Sequence, residues 1–264
     1  RRPLNAVKFS PDPALPITKV IPELLGAIER SSKLILTAPP GAGKTTIVPL
    51  ALLAAGKIKG RIIVLEPRRL AARAAAERMA QSLNEAAGDT VGYRMRGQQK
   101  TSTRTRIEVV TEGILTRMLQ SDPELTAIGA IIFDEFHERS LNADLGLALC
   151  LEAASAFRED LRILVMSARL DVAPLVTLMQ HPSVIAAEGR SFPVAPIWLD
   201  RPLSKSIKFE TAICDLVLQA LPQTSGAVLV FLPGEREIQK TAALLKSNLP
   251  SGCTVETLFG AMRF

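Results

Sequence analysis

The chain has 264 residues, with 32 Lys and Arg against 26 Asp and Glu, a formal net charge of +6 and a pI near 9.5. With 47% hydrophobic and 22% charged residues, the composition excludes a disordered or collagen-like chain and predicts one or two domains, each with a buried core. Three scattered cysteines without a C-x-x-C pair exclude a disulfide framework or zinc ribbon, and no apolar run approaches the ~20 residues that span a bilayer. We therefore expect a cytoplasmic protein that makes no use of a membrane, and a monomer by default.

The first half of the chain alternates between apolar runs and helical stretches. Residues 1–14 are rich in proline and predict an extended arm. Buried strands are then predicted at Lys33–Thr37, Arg61–Leu65, Ile107–Thr111, Ala130–Phe133 and Leu161–Met166. Helices are predicted from the glycine loop through Ala54 and at Leu70–Leu83, Gly113–Gln120 and Leu145–Ala156. This order predicts an α/β domain over residues 1–190, with a doubly wound parallel sheet covered on both faces.

The remainder of the chain predicts a second, smaller unit over residues 191–264. Ser191–Ser206 contains three prolines and predicts a linker. The alternation then restarts, with helices predicted at Phe209–Leu221 and Glu235–Leu249 and strands at Ala227–Phe231 and Thr254–Phe259. Two strands and two helices are too few to close a sheet domain, so this unit is predicted to be incomplete.

Basic residues are concentrated in one part of the chain. Between Lys57 and Met118 there are 13 basic and 6 acidic residues. A local excess of this kind attracts polyanions such as nucleic acid, although a solvated basic face explains it equally well at this stage.

A glycine-containing loop follows the first predicted strand and precedes a helix. It reads Ala38-Pro39-Pro40-Gly41-Ala42-Gly43-Lys44-Thr45-Thr46. The glycines allow the backbone to wrap around phosphate oxygens, the lysine is placed to reach the β- and γ-phosphates, and the Thr45 hydroxyl is placed to coordinate Mg²⁺. The strict phosphate-loop pattern has glycine where Ala38 stands, so this loop matches the variant without that glycine.

Two acidic residues follow the apolar run Ala130–Phe133. A carboxylate at the carboxyl end of a parallel strand, here Asp134, is placed to hold Mg²⁺ beside a phosphate loop. The adjacent Glu135 is then placed to orient the attacking water. Alone, the pair would more simply be a solvated turn, but together with the phosphate loop the functional interpretation is favoured. A zinc H-E-x-x-H motif starting at His137 is excluded, because Leu141 stands at its last position.

Several motifs together resemble one family. Asp134-Glu135-Phe136-His137 resembles motif II of DEAH-type superfamily 2 helicases, and it is followed by Glu138-Arg139-Ser140-Leu141. The segment Glu66–Arg73 adds to this resemblance, Thr111–Arg117 resembles motif Ib and Val230–Gly234 resembles motif IV. The resemblance runs from Leu15 to the end of the chain and is nearest to the bacterial HrpB-type ATP-dependent helicases.

The resemblance implies a fold and a set of roles. It implies a RecA-like P-loop NTPase domain followed by part of a second RecA-like unit, with ATP and Mg²⁺ as cofactors and single-stranded nucleic acid, RNA favoured, as the partner. Nucleotide would be bound by Pro40, Gly41, Ala42, Gly43, Lys44, Thr45 and Thr46. Thr45 and Asp134 would serve the metal, and the catalytic set would be Lys44, Asp134, Glu135 and His137, the last linking the site to the rest of the motor. The nucleic-acid backbone would be contacted by Arg68, Arg69, Thr111 and Arg117, and coupling would involve Ser167 and Arg169.

The chain departs from the family pattern in two places. Motif III, Ser-Ala-Thr in the family, is Ser167-Ala168-Arg169 here, so a long cation stands near the acidic strand end, where it either pairs with an acid or points outward. Motifs V and VI, with the arginines that stabilise the γ-phosphate, would lie beyond Phe264. We therefore expect this chain alone to hydrolyse ATP poorly. The alternative to an ATP-driven helicase is a truncated or degenerate module that binds nucleotide or nucleic acid without turnover.

Overall fold

The computed structural model describes residues 7–168, 172–189, 193–203, 206–260 and 262. The strands are β1 Lys33–Thr37, β2 Arg61–Leu65, β3 Val91–Met95, β4 Gln98–Lys100, β5 Ile107–Val110, β6 Ile128–Phe133, β7 Arg162–Ser167 and β8 Ser183–Ala186. The helices are α1 Ile21–Arg30, α2 Lys44–Ala54, α3 Arg69–Ser82, α4 Glu112–Ser121, α5 Leu141–Ala156, α6 Ala173–Leu178, α7 Phe209–Ala220 and α8 Glu235–Asn248. The chain divides into two compact units, Arg1–Phe192 and Pro193–Phe264.

The eight strands form one sheet in the first unit. Its order is β4-β3-β5-β2-β6-β7-β1-β8, and every neighbouring pair is parallel except the β3–β4 hairpin at one edge. Because β1, β2, β5, β6 and β7 run in one direction, the loops that follow them all emerge at the same edge of the sheet. This carboxyl edge is where ligands bind in open α/β sheets.

Alternate residues of each strand face opposite layers of helices. On β2, Ile62 and Val64 pack in the cluster that includes α1, α2 and α3, while Ile63 and Leu65 pack in the cluster with α4, α5 and α6. Both faces of the strands are therefore apolar, which explains why their sequences are continuous apolar runs. The predicted α/β, doubly wound parallel sheet is confirmed.

Most predicted elements of the first unit occur within a few residues of their predicted ends. The largest shift is at α5, which begins at Leu141 and not at Leu145. Its start is fixed by Ser140, whose Oγ accepts a hydrogen bond from the N–H of Ala143 at 2.9 Å and so caps the helix. Among the described residues, five further α-helices and strands were not predicted, namely α1, β3, β4, α6 and β8.

The two strands predicted in the second unit are wrong. Ala227–Phe231 and Thr254–Phe259 have no assigned strand, whereas the predicted helices are present as α7 and α8. The apolar alternation is nevertheless used: Val228, Val230 and Val255 pack on the cluster around Cys214, Val217 and Leu245, while Leu229, Phe231 and Leu258 are exposed. A strand also needs a backbone partner for its N–H and C=O groups, and no ladder reaches these segments in the described part of the chain.

Across the residues that the structure describes, no helix has both the length and the apolar character needed to cross a membrane.

Candidate nucleotide and nucleic-acid site

The loop between β1 and α2 has the backbone of a phosphate-binding loop. Gly41 and Gly43 have φ values of 76° and 90°, a region that disfavours residues with a Cβ. At Gly43, which precedes the first residue of α2, a Cβ would also lie 3.0 Å from Cδ1 of Leu15. The glycine spacing therefore serves the backbone turn that leads into the helix, and α2 begins at the carboxyl edge, where the N–H groups of a helix N-terminus can face an anion.

Lys44 forms an ion pair across the sheet edge. Its Nζ lies 2.7 Å from Oε1 of Glu135, and only 3% of the lysine side chain is exposed. The two residues are 91 positions apart in sequence. The structure thus brings together the phosphate-loop lysine and the second carboxylate of the acidic strand end.

Asp134 is the first residue after β6 and is almost fully buried. Its N–H donates to the carbonyl of Leu65 at 2.9 Å, and its Oδ1 accepts the N–H of Glu135 at 2.8 Å. Burial raises the pKa of this carboxyl above its usual range, against the opposing effect of the side chain of Thr45. Its Oδ2 is buried and, among the described residues, has no hydrogen-bond partner.

These features fit a magnesium ion. A buried carboxylate oxygen without a partner is costly unless a cation or water satisfies it, and Thr45 supplies a second oxygen beside it. No group of three or more His, Cys, Asp and Glu side chains suited to a metal occurs in the described ranges. Asp134 and Thr45 would suit Mg²⁺, which takes one or two protein ligands and completes its shell with phosphate oxygens and water.

Motif II continues into a strained turn. Glu135 and Arg139 both have a φ of 48°, a conformation uncommon for residues other than glycine. Between them lies a single turn of 3-10 helix, Phe136–Glu138. Arg139 forms a bidentate contact with the carboxylate of Asp144, with distances of 3.1 and 2.8 Å. Its guanidinium also lies 5.5 Å from the ring centroid of Phe136. Strain of this kind persists where surrounding contacts fix the backbone, and it clusters at functional sites.

His137 joins motif II to the end of β7. Its Nδ1 accepts the N–H of Ala168 at 3.1 Å, and its Nε2 lies 3.3 Å from Oε2 of Glu135. Because Nδ1 is an acceptor, the proton of the neutral ring lies on Nε2 and faces the carboxylate. Ser167, the residue before Ala168, ends β7, and its carbonyl accepts the N–H of Ala38 at 3.0 Å. The predicted coupling residue Arg169 lies outside the described residues.

The residues predicted to contact nucleic acid follow β2 and β5, which are neighbours in the sheet. Arg68 and Arg69 start α3, and Thr111 precedes α4, so all three lie at the carboxyl edge. Arg117 lies further along α4 and is exposed. Two cations at a helix N-terminus oppose the helix dipole, so an anionic partner would stabilise them. The guanidinium of Arg69 donates to the carbonyl of Arg96 at 3.3 Å, while that of Arg68 contacts Glu138.

Sequence reasoning assigned no role to three residues that the structure places here. Glu66 is buried beside Asp134; burial and then that neighbouring charge raise its pKa to about 8. Glu138 pairs with Arg68, and Ser140 Oγ donates to Oε1 of Glu112 at 2.6 Å. The residues Glu112, Asp134, Glu138 and Ser140 line a cavity of about 100 Å³ under motif II. The sequence signal that could have identified such residues is an acidic residue directly after an apolar strand. Of the three residues, Glu66 has this signal, since it follows β2.

The fold and the site define a class of protein. An eight-stranded α/β sheet with a phosphate loop after β1 and paired carboxylates after β6 is a RecA-like P-loop domain. A family model described as DEAD/DEAH box helicase matches residues 17–175 of the chain. The chain therefore belongs to the DEAD/DEAH box helicase family.

Individual relatives agree with this assignment. The chain is 50% identical over 249 residues to the ATP-dependent RNA helicase HrpB of Escherichia coli, covering 94% of the chain and 30% of that protein. It is 35% identical over 251 residues to the ATP-dependent RNA helicase HrpA of Borreliella burgdorferi, covering 94% of the chain and 30% of the relative. A crystal structure of the E. coli DEAH/RHA helicase HrpB superposes with a TM-score of 0.85 and 51% identity, covering 90% of the chain and 30% of that structure. The chain thus spans about a third of the length of these relatives.

Proposed function

We propose that the chain is the ATP-binding part of an ATP-dependent RNA helicase, which couples ATP hydrolysis to translocation along a single strand. The observation that carries this proposal is the Lys44–Glu135 contact of 2.7 Å at the carboxyl edge, with Asp134 beside it. In the proposal, residues 1–190 form the first RecA-like domain, and residues 191–264 form the linker and the beginning of the second.

Nucleotide binding would exchange the partner of Lys44. The loop Pro40–Thr46 would surround the phosphates with backbone N–H groups, and the ammonium would leave Glu135 for the β- and γ-phosphates. Thr45 and Asp134 would hold Mg²⁺. When bound, this ion neutralises developing charge on the phosphate oxygens. The exchange matters because a carboxylate paired with an ammonium is a poor acceptor for a proton from water.

Once released, Glu135 would orient the attacking water. Its side chain is about one-quarter exposed, so water reaches it. The Nε2–H of His137 faces the second oxygen of the same carboxylate, which fixes the orientation of the group. Since Ala168 donates to the other ring nitrogen, a change at Glu135 would be transmitted to the segment after β7.

RNA is favoured as the partner because HrpB of E. coli and HrpA of B. burgdorferi are named as RNA helicases. Arg68, Arg69 and Arg117 would offer guanidinium donors and Thr111 a hydroxyl, a combination that suits contacts to phosphate and sugar. Such contacts hold a strand without reading its sequence.

A binding module without turnover is the second candidate, favoured by Arg169 in place of the family's threonine in motif III. The two candidates are separated by a chimera in which this chain replaces the matching 249 residues of E. coli HrpB. We expect the chimera to hydrolyse ATP and single-stranded RNA to stimulate it, and Glu135→Gln to abolish turnover while ATP still binds.

A control variant, Glu29→Gln, removes the same charge from a surface ion pair with Lys57 and should leave turnover unchanged. If the folded chimera binds ATP and RNA without measurable turnover, the helicase proposal is rejected in favour of the binding module.

A further inference from the structure

An ion pair connects the start of α3 to motif II outside the phosphate pocket. Nη2 of Arg68 contacts Oε1 of Glu138, two residues separated by 70 positions in sequence. The Arg68 side chain is 69% exposed and that of Glu138 is 32% exposed. The guanidinium of Arg68 faces solvent at the carboxyl edge, but it already contacts a carboxylate of the same chain.

This carboxylate is aimed by the backbone beneath it. The N–H of Glu138 donates to the carbonyl of Glu135 at 2.9 Å, and the next residue, Arg139, is clamped by Asp144. Glu138 also belongs to an acidic group, because its charge acts on the buried Glu66 together with the charges of Asp134 and Glu135. The turn therefore holds the carboxylate of Glu138 against the guanidinium of Arg68. This contact lies at the border of the group of acidic side chains.

Stability alone does not account for the contact. Exposed ion pairs contribute little to folding, because the charges remain hydrated and the side chains lose freedom. A carboxylate and a phosphodiester present the same chemistry to guanidinium, two anionic oxygens that accept parallel N–H bonds. The place that Glu138 occupies is therefore one that a backbone phosphate can take.

We propose that Glu138 is a positioning residue that holds Arg68 in the strand-free protein and competes with a backbone phosphate for its guanidinium. The inference rests on the proposed function, since it requires Arg68 to contact nucleic acid. The turn that ends at Glu138 begins at Glu135, the partner of Lys44, so one short segment carries both the nucleotide-facing and the strand-facing carboxylate.

The test is equilibrium binding of a fluorescent oligouridine to the full chain, measured by anisotropy. Glu138→Gln should tighten binding about two- to fivefold relative to a matched control, the range expected when an exposed pair no longer competes. The control is Glu77→Gln, which removes the same charge and frees Arg73, its partner at 2.8 Å on α3, one turn after the first residue of the helix. Arg68→Ala should weaken binding, and in that background Glu138→Gln should gain nothing over Glu77→Gln.

Each outcome decides a different statement. If Arg68→Ala weakens binding but Glu138→Gln binds no tighter than Glu77→Gln, the competition is disproved and the strand contact stands. If Arg68→Ala binds as tightly as the unmodified chain, the proposed strand contact itself fails. If Glu138→Gln also tightens oligouridine binding in the Arg68→Ala background, the gain comes from the loss of a negative charge and not from release of Arg68. That result overturns the proposal. Should Glu138→Gln lower the unfolding temperature, Glu138→Asp, which keeps the charge but shortens its reach, replaces it with a smaller expected gain in the same direction.

Discussion

The N–H of Ala168 donates to Nδ1 of His137 at 3.1 Å, so a backbone group after β7 depends on a side chain of motif II. His137→Ala leaves this half-buried N–H without its acceptor, which costs about 1 kcal/mol. We expect the thermal unfolding midpoint to fall by about 2–4 °C for a chain of this size. His137→Asn can place its amide oxygen where Nδ1 lies and should recover most of the loss. Equal midpoints for the alanine and asparagine variants would show that the hydrogen bond does not stabilise the fold.

Lys44 is buried against Glu135, and its replacement tests the phosphate loop directly. Lys44→Met should reduce the affinity for ATP with Mg²⁺ at least about tenfold, because a charge-assisted contact to phosphate is lost. Binding is measured with a fluorescent ATP analogue. Lys57→Met serves as the matched control, since Lys57 also pairs with a glutamate but on the protein surface. Similar affinities for the two variants would place the phosphates away from Lys44.

The two loop glycines differ in their surroundings, and this predicts unequal costs. Gly41→Ala meets only the backbone penalty of a positive φ, about 1–2 kcal/mol, because no atom of the described residues, its two chain neighbours aside, lies within 4 Å of the place its Cβ would take. Gly43→Ala carries the same penalty and also a contact of 3.0 Å with Leu15. We expect urea denaturation without nucleotide to rank Gly43→Ala as the less stable variant. The reverse order would mean that the loop backbone differs from the one described.

Glu66 predicts a dependence of stability on pH. Burial and the neighbouring charge of Asp134 raise its pKa to about 8, so the folded protein holds a proton that the unfolded chain releases near its ordinary pKa. The stabilisation is complete at low pH and is lost as the pH rises through the folded pKa. Glu66→Gln, which mimics the protonated form, should therefore gain about 1–3 kcal/mol over the unmodified chain at pH 9 and little at pH 5.

The measurement is urea unfolding at both pH values, with Glu77→Gln as the control for a glutamate on the helix surface. A Glu66→Gln variant that is destabilised equally at both pH values would contradict a neutral Glu66 in the folded protein.

The sequence predicted structural features that are set by neighbouring residues better than features that depend on residues far apart in the chain. The apolar runs of β1, β2 and β6 and the spacing of Gly41 and Gly43 are local signals, and they located the phosphate loop beside the acidic strand end. In contrast, β3 is interrupted by Gly92 and Arg94 and contains no continuous apolar run, so its pattern resembles a loop. The prediction of strands at Ala227–Phe231 and Thr254–Phe259 failed because alternation indicates one buried face but not a backbone partner.

The side-chain contacts at the candidate site were the least predictable part. The Lys44–Glu135, Arg68–Glu138 and Glu112–Ser140 contacts join residues that are 91, 70 and 28 positions apart. Motif spacing places these residues at one edge of a sheet, but it does not say which side chains contact each other. The backbone after β6 also takes positive φ values at Glu135 and Arg139, which the residue types there do not indicate.

The parallel direction of the strands has a practical consequence for single-molecule work. The turn at 122–127, which precedes β6, lies at the amino end of the sheet, opposite the loops of the candidate site. Glu124 is exposed there. Its backbone carbonyl, and not its side chain, accepts a hydrogen bond from Arg158. With Cys253 changed to serine, since Cys150 and Cys214 are buried, a dye or surface tether attached through Glu124→Cys would leave the edge with the candidate site open to solution.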